Sequence, residues 1–296
     1  MTTSAITPIT TTTIPVRAQT AVIARSIIPP PRADQTAPLE PLAAAAAPPT
    51  PTTSAGTAPI SATGMVPTAR PNRTTSNPLL INEGPIRLRR TAGRRAPVEI
   101  VAIGASTGGP NALSVMLDQL PADFSVPVVI VQHMLASFTR HFAQRLASQC
   151  KLKIVEATAG EPLAPGCAYI ARGDHHLVVE RRAGRASLAM NQDPLENFCR
   201  PAVDVLFRSV AQSYGAGALG VVLTGMGHDG LSGCSAICEA GGDVIVQDEA
   251  SSVVWGMPGF VARAGLASDV LALDQISREV RRRVAVRPVQ VVGPPS

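Results

Sequence analysis

From residue 98 onward, short apolar runs alternate with stretches of helical period; before it, neither pattern occurs. The runs VEIVAI (98 to 103), VPVVIVQ (126 to 132), LGVVLT (219 to 224) and DVIVQ (243 to 247) are nearly continuous in apolar and β-branched residues. Strands covered on both faces require that composition, and parallel sheets cover both faces. Between the runs, the spacing predicts helices over 110 to 119, 138 to 150 behind a Ser137 cap, 201 to 214 and 229 to 239, with Pro110 and Pro201 at first helical positions. The alternation predicts an α/β fold with a doubly wound, mostly parallel sheet. Residues 168 to 190 break the rhythm: CAYIA and HHLVVERRAGRASLAM alternate around an Ala-Gly turn, which predicts an antiparallel hairpin inserted in the core. A last helix is expected over 274 to 285, its Arg281 to Arg283 run a solvated face. No internal repeat is present.

Composition separates the two parts of the 296-residue chain. Residues 1 to 97 hold 16 of its 27 prolines, runs such as TTTT and AAAAA, and no aromatic residue. Such a segment buries too little apolar surface to offset its ordering entropy, so it is expected to be a disordered basic tail rich in Pro, Thr and Ala. A folded domain is expected over 98 to 286, followed by a short tail over 287 to 296. The basic charge belongs to the first part, where ten arginines face three acids. Without aromatics for stacking, this is a poor nucleic-acid surface, and the cluster IRLRRTAGRR (86 to 95) is expected to be a solvated linker. No apolar stretch approaches the length of a bilayer span and the N-terminus lacks a signal-like core, so a cytoplasmic protein without membrane insertion is expected. The five cysteines form no C-x-x-C pair and are expected to be reduced and mostly buried. His228, Cys234 and Cys238 lack a fourth ligand at any familiar spacing, so no metal is expected.

The chemistry is sought where strands of such a sheet end, since ligands bind beyond their carboxyl ends. The first strand runs into Gly104-Ala105-Ser106-Thr107-Gly108-Gly109-Pro110, the second into Gln132-His133-Met134, and a later one into Thr224-Gly225-Met226-Gly227-His228-Asp229. A hydroxyl, an imidazole and a carboxylate thus leave three strands at one edge. That set serves nucleophilic acyl transfer: His133 accepts the Ser106 proton, and Asp229 fixes the imidazole tautomer and stabilises the imidazolium. Backbone donors at Thr107, Gly108, Met226 and Gly227 are candidates for an oxyanion site. Read singly, each feature has a plainer account. The glycine turn is an anion site of the nucleotide-binding kind, His133 a satisfied strand-end histidine, and Asp229 a helix cap. His228 is a rival base expected to point away, and surface positions are expected for His141, His175 and His176.

The segments IGASTGGP, VQHM with SFTRHFAQRL, PGCAYIARGDHH, RPAVDVLFRSVA, GVVLTGMGHDG and EASSVVWGMP occur in this order. Through them the sequence resembles the catalytic domain of the chemotaxis receptor methylesterases, the protein-glutamate methylesterase family, over about residues 98 to 284. The resemblance implies a Ser-His-Asp triad at Ser106, His133 and Asp229 without a cofactor. It implies hydrolysis of glutamyl methyl esters on chemoreceptor cytoplasmic domains with release of methanol, and deamidation of receptor glutamines. The chain departs from the family pattern at Leu135-Ala136-Ser137 and at Phe198-Cys199. It departs again in residues 1 to 97, which lack the acidic pocket and βα alternation of a receiver domain, so a separate receiver or kinase protein becomes a candidate partner. Two other classes stand beside this one: a non-catalytic receptor-binding module and a nucleotide-binding α/β domain.

Overall fold

The structure, a computed structural model, describes residues 85 to 90 and 96 to 285; the rest of the expected N-terminal tail, and the expected C-terminal tail, lie outside the described residues. Four strands coincide with the apolar runs: β1 (Ile100–Ala105), β2 (Val128–Gln132), β7 (Ala218–Val222) and β8 (Asp243–Gln247). Every residue in them is buried. Three shorter strands join them, β3 (Lys153–Glu156), β4 (Cys167–Ile170) and β9 (Asp269–Leu271). The resulting seven-stranded sheet is parallel throughout, in the order β3-β4-β2-β1-β7-β8-β9. A separate antiparallel hairpin of β5 (His176–Arg182) and β6 (Arg185–Asn191) turns at Ala183 and Gly184. CAYI therefore belongs to the main sheet and not to the hairpin: β4 pairs in parallel with β2 and β3, contacts that its local alternation does not encode.

Alternation along the central strand sorts the core into two layers. Val101 and Ile103 face Leu113, Met116 and Leu117 of α1 (Gly109–Asp118), Leu146 of α2 (Ala136–Gln149) and Val280 of α6 (Leu273–Ala285). Ile100 and Ala102 lie in the opposite layer with Phe207 of α3 (Val203–Tyr214), Ile237 of α4 (Leu231–Glu239) and Val261 of α5 (Met257–Arg263). Leu177, Val179 and Leu188 fasten the hairpin to this second layer.

Several helix starts differ from expectation. Ser137 lies inside α2 and caps nothing, and α3 begins at Val203 instead of Pro201. The first N–H groups of α3 are taken by the side chain of Asp229, a cap supplied by another element that local sequence does not reveal.

Two arginine clusters are more engaged than their composition implies. Arg89 donates from its guanidinium to the carbonyls of Cys238 and Gly242, at 3.2 and 2.5 Å, and pairs with Asp243 at 3.4 Å. It thus lies at the C-terminal end of α4, where free carbonyls favour a cation, and at the start of β8, the sheet edge opposite the ends of β1 and β2. Arg283 is buried among Asp243, Asp269 and Glu279. Only its neighbours Arg281 and Arg282 are solvated. His176 is also buried, lying 3.2 Å from both the Pro194 carbonyl and the Ala202 N–H, whereas His141 is exposed. All five cysteines are free, but only Cys234 is buried and the other four are partly accessible.

Candidate active site

Pairing in register brings the ends of β1, β2 and β7 level. Ala105 lies opposite Gln132, the His133 N–H donates to the Ala105 carbonyl at 3.0 Å, and the Leu223 N–H donates to the Gly104 carbonyl at 2.9 Å. The chain then turns from Ser106 into α1 through Gly108, whose φ of 80° is left-handed and costs a side-chain-bearing residue strain. The loop after β7 crosses directly over this turn. A Cβ on Gly225 would lie 2.8 Å from the Ser106 Cβ, so only glycine permits the approach.

Gln132 connects the Ser106 turn and the His133 strand end. It is buried, and its Nε2 donates to the carbonyls of both Ser106, at 2.9 Å, and His133, at 3.1 Å. Replacement by Leu keeps the bulk but leaves two carbonyls without their donor, so the two loops lose their common tether. We expect kcat to fall roughly ten- to a hundredfold at nearly constant KM, the cost of a small displacement of reacting groups. Steady-state kinetics beside a melting curve check this, and a loss confined to KM would refute the tether.

The imidazole and the carboxylate meet. His133 Nε2 lies 2.7 Å from Asp229 Oδ2. Asp229 is otherwise saturated: it accepts the N–H groups of Val203 at 2.6 Å and Asp204 at 3.0 Å, and Asn197 Nδ2 at 2.9 Å. Burial would raise this carboxyl, yet the His133 hydrogen bond and charge and the two backbone donors outweigh it, holding Asp229 below the usual carboxylate range. An ionised Asp229 holds the proton on Nε2 and leaves Nδ1 as the basic nitrogen. Burial disfavours a charged His133, but the hydrogen bond and charge of Asp229, with the Cys199 contact, overcome that and lift it from 6.5 to about 9. The imidazole is therefore lifted above the neutral range.

A loop that no periodicity marks completes the site. Glu196 and Cys199 exchange backbone hydrogen bonds at 3.1 and 2.9 Å around Asn197 and Phe198, which adopt left-handed φ of 52° and 62°. Arg208 of α3 grips Glu196 through two bonds of 2.6 and 2.5 Å. Asn197 Nδ2 also binds the buried Asp204 carboxylate at 2.8 Å. So anchored, the loop puts Cys199 Sγ 3.6 Å from His133 Nδ1. Among the described residues the Ser106 hydroxyl has no hydrogen bond, and the N–H groups of Thr107, Gly108, Met226 and Gly227 donate to no carbonyl. His228 meets the Phe260 ring edge-on, their centroids 5.8 Å apart. Cys234, fully buried, and Cys238, bound to the Leu266 carbonyl, do not form a metal-ligating group with it among the described residues. Of the site residues, Gln132, Asn197, Asp204 and the Cys199 contact escape sequence inspection; only the departure at Phe198-Cys199 pointed to the loop.

The family described as CheB methylesterase matches residues 101 to 280, which hold the site just described and all of the sheet but Ile100. The chain belongs to the CheB methylesterase family. It is 39% identical to the crystal structure of the Thermotoga maritima CheB methylesterase catalytic domain, with a TM-score of 0.62 over 63% of this chain and 99% of that one. A protein-glutamate methylesterase/protein-glutamine glutaminase of Trichodesmium erythraeum is 55% identical over 187 residues, 63% of this chain and 53% of its own length. One of Azospirillum brasilense is 50% identical over 185 residues, 62% of this chain and 47% of its own. The chain thus spans about half the length of these curated relatives.

Proposed function

We propose that residues 98 to 286 form a serine esterase that removes methyl groups from glutamate side chains of chemoreceptor cytoplasmic domains, releasing methanol, and that it deamidates receptor glutamines. The observation that carries this reading is the Asp229 carboxylate holding His133 at 2.7 Å at the edge where Ser106 follows β1, in a chain of the CheB methylesterase family. Ser106 Oγ attacks the ester carbonyl and His133 Nδ1 takes its proton. The N–H groups of Thr107, Gly108, Met226 and Gly227 stabilise the oxyanion, His133 returns the proton to the departing methoxide, and water activated by His133 frees the carboxylate. An amide substrate follows the same course with ammonia leaving. Phe198 and Met226, 96% and 73% exposed, sit one residue from Cys199 and three from Asp229, as suits a protein surface as substrate. The enzyme would act inside the cell, with a separate receiver or kinase protein as candidate regulator. No described helix is long and apolar enough to cross a membrane.

Release of labelled methanol from methylated receptor membranes is the test. We expect time-dependent release by the full chain; membranes that keep their label over hours would refute the activity.

A further inference from the structure

The imidazole nitrogen that Ser106 requires faces a thiol. Among the described residues, His133, Cys199 and Asp229 are the one group of three potential metal ligands, with donor atoms within 4.8 Å of one another. They come from three separate segments: the end of β2, the anchored loop before α3 and the turn before α4. A zinc-class cation bound at about 2.0 Å to nitrogen and about 2.3 Å to sulfur, with tetrahedral angles, needs the two donors roughly 3.5 Å apart. His133 Nδ1 and Cys199 Sγ lie 3.6 Å apart before any adjustment. On the far side of the ring, Asp229 accepts from Nε2, the carboxylate–histidine arrangement that orients an imidazole toward a metal and strengthens it as a donor. Arg208 and Asn197 hold the cysteine loop in place, so little ordering remains for binding to cost.

We infer that His133 Nδ1 and Cys199 Sγ bind a thiophilic divalent cation of the zinc class, backed by Asp229, and that its binding switches the esterase off. The thiol proton leaves to solvent as the metal–sulfur bond forms, and the Nδ1 proton of a charged His133 leaves to solvent as the metal–nitrogen bond forms. The metal occupies the lone pair that would otherwise take the Ser106 proton, so hydrolysis stops without any change in the fold. Cys199 exchanges no proton or bond with the substrate in the proposed hydrolysis; it determines whether the base can be captured. The inhibitory half of this inference rests on the proposed esterase reading, while the binding half does not.

The test uses the full chain, stripped of metal, in two measurements. Zinc binding is read by competition with a chromogenic chelator, and cobalt binding by its thiolate charge-transfer absorption. We expect one equivalent per chain, the thiolate band, and at least tenfold weaker binding in both Cys199→Ala and Cys199→Ser, with Cys238→Ser and Ser106→Ala unchanged. Circular dichroism establishes that each variant is folded, and two substitutions guard against one that is not. In the methanol-release assay, zinc should suppress the wild type at least tenfold and the Cys199 variants little, each measured against its own metal-free rate. Equal zinc affinity in wild type and folded Cys199 variants, or a cobalt complex without the thiolate band, overturns the site. Tight binding without inhibition overturns the switch. If the metal-free wild type releases no methanol, the esterase reading fails, and the spectra still decide the site.

Discussion

Ser106→Ala lowers kcat/KM for ester hydrolysis roughly a thousandfold or more, with a melting temperature close to that of the wild type. The separation of the two effects follows from the structure. Its hydroxyl has no hydrogen bond among the described residues, while the backbone of Ser106 is held by Thr224 and Gln132 whatever the side chain. Removing Oγ therefore deletes the proposed nucleophile and little else. His133→Ala loses activity to a similar extent but costs stability too, because it strips Asp229 of its shortest side-chain partner. The nearby thiol makes the comparison decisive. If Ser106→Ala kept near-wild-type turnover and Cys199→Ala lost it, Cys199 would be the nucleophile and the triad would fail.

How much of this is legible in the sequence depends on whether a residue's partner is local. β1, β2, β7 and β8 are readable because burial on both faces makes them continuous apolar runs. β3 is not, since it has four residues beginning with an exposed lysine, and β9 has three that are only partly buried. Ser106, His133 and Asp229 are readable because each follows a strand at one edge of a parallel sheet. Asp229 nevertheless does more than its position announces. It lies before α4, whose cap is Gly230, and uses its carboxylate on α3 and His133 instead. The 196 to 199 loop is illegible for a related reason: left-handed Asn197 and Phe198 break every period, and the anchors Arg208 and Asp204 follow them in the chain.

Asp229→Asn tests the electrostatic half of the site and should change three observables together. The amide is neutral and has one acceptor oxygen, whereas the carboxylate serves His133 and Asn197 and the N–H groups of Val203 and Asp204. One face of the amide must set N–H against N–H, and the imidazolium formed during reaction loses its counter-charge. We expect kcat to fall by about three to four orders of magnitude with KM little changed, the pattern of a lost tautomer clamp. The pH profile should move as well. In the wild type His133 is basic only when deprotonated, so kcat/KM rises with pH through about 9. Without the carboxylate, the largest influence that raises His133 is gone while its burial remains, and the rise shifts toward neutral pH. Stability follows by linkage. A His133 pKa raised from 6.5 to about 9 stabilises the fold fully below pH 6.5 and loses that contribution as pH climbs to 9, a decline of roughly 3 kcal/mol. Asp229→Asn should be less stable at pH 6 and nearly flat over the same interval. Urea unfolding at pH 6 and pH 9 reads this directly. A variant whose stability falls as steeply as the wild type's, with its activity rise still near pH 9, would mean that Asp229 does not set the base.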